Sequence, residues 1–123
     1  MHALTIGKKT YELIFGFKFL KFVNKVRSVT MDGVSTGVGG MTMIEAGGGF
    51  KDPEVLEIIL KGATNTSSSK PTDDEIEAFI KELIMDGSYI DFYNEVMAEV
   101  KKDVILRQAI AGNQKIEAVA KAK

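Results

Sequence analysis

The sequence predicts an α+β fold, mostly α: an N-terminal β-hairpin packed on a bundle of three to four helices. Three observations predict it. Tyr11, Leu13 and Phe15 alternate with Thr10, Glu12 and Ile14 at the period of a pleated strand. Apolar residues then recur at helical spacing in segments that begin near Phe17, Pro53, Asp73 and Tyr89. Two of those segments open on unmistakable start signals, Asp52-Pro53-Glu54 and Thr72-Asp73-Asp74-Glu75. A chain of 123 residues, 45% hydrophobic and 27% charged, has the composition of an ordinary globular domain. At this length, folding buries roughly two-thirds of the unfolded chain's surface.

The elements follow in order. Leu4 to Ile6 and Thr10 to Ile14 read as two strands joined around Gly7-Lys8-Lys9. An isolated hairpin is only marginally stable, so this one must pack on another element. From Phe17 to about Ser28, Phe19, Leu20, Phe22, Val23 and Val26 form an apolar stripe, with Lys18, Lys21 and Lys25 on the other side. From Thr30 to Phe50 the pattern weakens. Gly33, Gly37, Gly39 and Gly40, then Gly47-Gly48-Gly49, bracket a short apolar piece from Met41 to Ala46, so loops around one short helix are expected.

Asp52 caps the next helix and Pro53 sits at its first position, where its missing N–H does no harm. That helix carries Val55, Leu56, Ile58, Ile59 and Leu60 on a wide apolar arc, and Gly62 is the expected terminator. Ala63 to Pro71 reads as a polar linker. Thr72 to Glu75 forms a capping box, and Ile76, Phe79, Ile80, Leu83 and Ile84 follow at helical spacing until Gly87-Ser88. A last long helix is expected from about Tyr89 to Leu106, with Tyr89, Phe92, Tyr93, Val96, Met97, Val100 and Val104 as its stripe. The domain organisation expected is one globular domain over 1–106 and a flexible or frayed helical tail over 107–123.

Catalytic chemistry finds little to work with. There is no cysteine, which removes disulfides, thiolate nucleophiles and cysteine-ligated zinc. The one histidine, His2, stands beside the first methionine, so no histidine-based triad is expected. Gly33-Val34-Ser35-Thr36-Gly37-Val38-Gly39-Gly40 lacks the spacing and the following lysine of a phosphate-binding loop. Asp73, Asp74 and Glu75 are accounted for by helix capping, and Asp86 to Asp91 is too sparse for a calcium loop. No catalytic, cofactor-binding or metal-binding residue is therefore assigned.

Net charge of −1 argues against nucleic acid, whose phosphates reward a basic excess. Lys18, Lys21, Lys25 and Arg27 do make a basic face, but the neighbouring aromatics lie on the opposite stripe. No apolar run reaches the ~18 residues of a membrane span, and the opening residues lack the apolar core of a signal peptide. A soluble, intracellular protein is expected. What remains is apolar helical surface, and the stripe Tyr89, Phe92, Tyr93, Val96, Met97, Val100 and Val104 is the candidate partner-binding surface, of residue types favoured at interfaces. Core packing is the competing reading of the same residues.

The segment TIGKKTYELIFGFKFLKFVNKV, from Thr5 to Val26, resembles the opening of tail assembly chaperones of siphophages that infect Gram-positive hosts. The resemblance extends through the glycines from Gly33 to Gly40, the Asp52-Pro53 helix with Ala63-Thr64 after it, the Lys70 to Ile76 helix start and the last amphipathic helix. It covers about Leu4 to Leu106. It implies a non-enzymatic protein without cofactors that coats the tape measure protein in the host cell cytoplasm, self-associates, and is missing from the mature virion. It also implies that a longer frameshifted form recruits the major tail tube protein, this chain being the short form. The competing reading is another small morphogenesis or head–tail completion protein that stays in the virion.

Overall fold

A computed structural model describes residues 3–26, 30–31, 34–35, 41, 44–45, 49–66 and 70–110. The glycines Gly33, Gly37, Gly39, Gly40, Gly47 and Gly48, the serines Ser67 to Ser69, His2, Arg27 and the tail beyond 110 lie outside the described residues. The fold is mostly helical, with an N-terminal hairpin, as the sequence predicts.

Strands β1 (Ala3–Ile6) and β2 (Lys9–Glu12) pair antiparallel in the register Ala3↔Glu12 and Ile6↔Lys9. The connection is therefore Gly7-Lys8, one residue shorter than expected. Gly7 holds φ at 63°, the requirement of the first central position of a II′ turn, which matches strand twist. Leu4 and Tyr11 face each other and are buried, while Thr5 and Thr10 pair their hydroxyls on the outer side. The predicted alternation continues past the ladder: Leu13 is buried and Ile14 is exposed. Regular pairing stops at Glu12, because the Ile14 N–H leaves the hairpin and donates to the Ala63 carbonyl at 2.8 Å.

Helix α1 (Phe17–Val26) buries Phe19 and Val23 and turns Lys18, Lys21 and Lys25 outward. Beyond it, β3 (Thr30–Met31) and β4 (Val34–Ser35) form a two-residue antiparallel ladder in a region expected to be loop. The intervening dipeptide is Asp32-Gly33, a strong hairpin signal that the weak apolar pattern around it conceals. Met41 and Ile44 are helical and buried, in line with the short helix expected there.

Helix α2 (Pro53–Ala63) starts as its sequence dictates: the Asp52 carboxylate accepts from the Glu54 N–H at 2.8 Å, and Pro53 opens the helix. Its end corrects the sequence reading. Gly62 does not terminate the helix; it lies inside it and is buried. A Cβ at Gly62 would stand 3.0 Å from ring carbons of both Phe19 and Phe22. The glycine is there because α1 presses onto it, a tertiary reason that no local pattern reveals. Thr64 caps the end, its buried hydroxyl donating to the Leu60 carbonyl at 2.8 Å.

Helix α3 (Asp73–Asp86) carries the full capping box: the Glu75 N–H donates to Thr72 Oγ1, and the Thr72 N–H donates to Glu75 Oε1. It ends at Gly87, whose φ is 84°. Helix α4 (Tyr89–Lys102) stops four residues before the expected limit. Asp103 breaks the helix with extended ψ and starts another, its carboxylate accepting from the Ile105 and Leu106 N–H groups. Residues 104–110 are helical, and Ala109 and Ile110 pack half-buried against the core.

The core is continuous from Leu4 through Phe19 and Val23 to α2, Ile76, Ile80 and the inner face of α4. Helix α2 contributes Leu56, Ile59, Leu60 and Ala63, all fully enclosed. Burying each such leucine or isoleucine stabilises the fold by about 1.5–3 kcal/mol. α1 and α3 both pack on α2, α4 packs on α3, and β1 lies along α3.

Candidate protein-docking surface

The stripe singled out on the last helix turns inward. Tyr89, Tyr93, Val96, Met97 and Val100 are buried and belong to the core cluster. Phe92 is half-buried and meets Phe79 edge-on, with ring centroids 5.2 Å apart. Val104 falls beyond the break at Asp103, leaves the stripe and is 66% exposed. Periodicity located the apolar face of α4 correctly; it carried no information on whether the chain itself covers that face. It does.

Inside that face, Tyr89 and Tyr93 stack at a tilt, with centroids 5.8 Å apart. The Tyr89 hydroxyl donates to the carbonyl of Lys51, a residue held at φ 55°. The Lys51 ammonium sits 5.5 Å from the centroid of the Tyr93 ring. The Tyr93 hydroxyl is buried without a hydrogen-bond partner among the described residues. Burial pushes its pKa up to about 12, with the Tyr89 and Asp52 charges adding to the effect. These two tyrosines clamp the start of α2 to α4.

Other apolar side chains are uncovered elsewhere. Phe50 is 87% exposed, Met85 77% and Ile84 50%, and Phe17, Val26 and Ile90 are also exposed. Two of these sit together. Between the start of α2 and the end of α3 runs a groove of about 730 Å³, lined by Pro53, Glu54, Glu57, Glu77, Ile80, Lys81, Ile84 and Met85. Ile84 and Met85 are adjacent in the last turn of α3, and both are left uncovered there.

Electrostatics give the groove a sign: Glu54, Glu57 and Glu77 face one ammonium, Lys81. Burial raises the Glu57 carboxyl above the usual carboxylate range; its hydrogen bond with Glu77 and the charges of Glu77 and Asp73 add to this, while Lys61 opposes it. Lys61 is itself paired with Asp73 at 3.0 Å. On the far side of α2, a second depression of about 660 Å³ is lined by Lys18, Lys21, Phe22, Lys25, Val26 and Asn65. The molecule thus presents an acidic and a basic patch, each bordered by exposed apolar side chains.

A family model described as phage tail assembly chaperone protein, TAC, matches residues 3–114. The chain belongs to the phage tail assembly chaperones. No curated protein and no solved structure gives a match. The family's role is to assist tail assembly, which implies protein partners. Among its described residues, no helix is long and apolar enough to cross a membrane.

Proposed function

We propose that this chaperone binds the tape measure protein during tail morphogenesis and keeps that long, aggregation-prone chain soluble until the tube forms around it. Membership of the assembly chaperones over 3–114 is the observation that carries the reading. The exposed apolar side chains support it, since contiguous apolar surface on a small folded protein marks a site of association. Coating an extended partner calls for many weak contacts that can be displaced, and several copies acting together supply them through multivalency. Self-association of the chaperone belongs to the same reading. So does a longer frameshifted form that recruits major tail tube subunits, with this chain as the short form.

The working place is the host cell cytoplasm, and the chaperone leaves before the virion is complete. Of the stripe proposed on the last helix, Val104 and the outer edge of Phe92 are open to a partner while the chain stays folded. Co-expression tests the reading. The tape measure protein of the same phage should become soluble and co-purify with the chaperone; a soluble fraction no larger than without it refutes the proposal. Mass spectrometry of purified virions separates the two fates, because a head–tail completion protein would be found there and this chaperone would not.

A further inference from the structure

We infer that the basic, amphipathic end of this chain, residues 115–123, docks in the chain's own acidic groove between α2 and α3 and covers it until a client protein takes its place. This rests on the reading that the chaperone holds its client by exposed apolar surface, and it names the segment that governs access to one such surface.

The groove is shaped for a helix. Glu77, Ile80, Lys81, Ile84 and Met85 follow one another at helical spacing on α3, over about 12 Å, and Glu54 and Glu57 face them from α2. Both walls are helices, so no strand edge is there to pair with an extended segment, whereas a helix satisfies its own backbone. Three carboxylates stand against one ammonium, and burial, with Glu77 alongside, raises the Glu57 carboxyl. An incoming ammonium would ease that crowding, whereas a purely apolar occupant would deepen it by removing water. The occupant must therefore be apolar and cationic at once.

Residues 115–123 have that character. Lys115, Lys121 and Lys123 outnumber Glu117. At about 100° per residue, Lys115, Ile116, Val119 and Lys123 share one face of a helix and Glu117 lies on the other. From Lys115 to Lys123 that face would run about 12 Å, the length of the α3 face it would meet. The apolar pair Ile116 and Val119 then stands between two lysines, as Ile80 and Ile84 stand between carboxylates of both walls.

The chain also leads to the groove. Ile110 lines a depression together with Gly49 and Lys51, and Lys51 is two residues before Pro53, which lines the groove. The five residues from Ile110 to Lys115 can span up to about 17 Å, against about 7 Å from Lys51 to Pro53. Such a tether gives the tail a local concentration on the order of millimolar, so a weak contact is enough to hold it. A client that binds at many points can displace it.

A spin label tests the docking in full-length protein. The chain has no cysteine, so Ala118→Cys carries the label at one position. The methyl signal of Met85, which lines the groove, should be broadened by the label and recover at about 1 M salt, where screening acts over about 3 Å. Lys115→Glu/Lys123→Glu and Glu54→Lys/Glu77→Lys should each weaken docking on the order of tenfold. Combined in one chain, the four substitutions should restore the broadening, which also establishes that the variants fold. Lys115→Glu/Lys123→Glu should still solubilise the tape measure protein at least as well as wild type. An unbroadened Met85 signal overturns the inference, and so does broadening that ignores the charge reversals. If spin-labelled chains broaden Met85 only in other, unlabelled copies, the occupant comes from a second molecule and the inference is wrong. If the tail variant loses the tape measure protein, the tail is part of the client's site and not its cover. Docking without solubilisation by wild type removes the functional reading and leaves the contact standing; solubilisation without docking removes only the inference.

Discussion

The two ends of α2 meet the rest of the molecule in opposite ways. At its C-terminal end, Gly62 lets the rings of Phe19 and Phe22 rest on bare backbone, the Ala63 carbonyl accepts from Ile14, and Thr64 is buried with its hydroxyl paired. At its N-terminal end, Glu54 is exposed, Glu57 lines the same groove as Glu77, and Ile84 and Met85 lie uncovered beside them. One end has the complementarity of a folded core. The other has crowded like charge next to exposed apolar surface, an arrangement that folding alone does not favour. The difference teaches that the first end holds the chaperone together, and it makes the second the place we propose for an associate.

Substitutions can break this comparison at either end. The largest effect is expected from Phe19→Ala, which removes the ring that fills the space over Gly62 and meets Phe15 edge-on at 5.1 Å. It should cost about 3–5 kcal/mol in chemical denaturation. Gly62→Val should cost about 1–3 kcal/mol, because two rings must move to admit the new side chain. A variant as stable as wild type would mean that the contact is loose.

At the start of α3, Thr72→Ala removes the acceptor of the Glu75 N–H and should cost about 1 kcal/mol. Hydrogen bonds from the Thr72 backbone and side chain also hold the Glu75 carboxyl below its usual range. That contribution is present above the unfolded-state value and is lost as pH falls through the folded one, so the penalty of Thr72→Ala should shrink in acid.

The smallest effect sharpens the comparison by its sign. Glu57 has its folded value raised, so its protonated form is the one the fold prefers. Its contribution is favourable below the unfolded value, about 4.3, and is lost as pH rises through the folded one. Glu57→Gln should therefore be slightly more stable than wild type at pH 7 and lose that advantage near pH 4. A variant less stable at pH 7 would place Glu57 in a favourable ion pair and remove the crowding from the account.

Local signals were legible in the sequence. The Asp52-Pro53 start, the Thr72–Glu75 capping box and the alternation of Tyr11, Leu13 and Phe15 each involve residues within a few positions of one another, and each appears in the structure. Features with a distant cause were not. Gly62 looked like a stop because glycine commonly ends helices, and only α1 packed against it explains its place inside α2. Asp103 sat within an apolar period that ran on to Val104, so the period concealed a cap that starts a new helix. The burial of the α4 stripe was illegible for a related reason. The α4 stripe is as apolar as an interface, but the chain covers it, whereas Ile84 and Met85 look like part of a core-facing helix and are left open.

The central claim is that the uncovered end of α2 and α3 works in association and not in folding. It is tested most directly with Ile84→Ser/Met85→Ser, measured both for unfolding free energy and for the soluble yield of the co-expressed tape measure protein. The account predicts stability within about 0.5 kcal/mol of wild type together with loss of solubilisation. Solubilisation equal to that of wild type would contradict it.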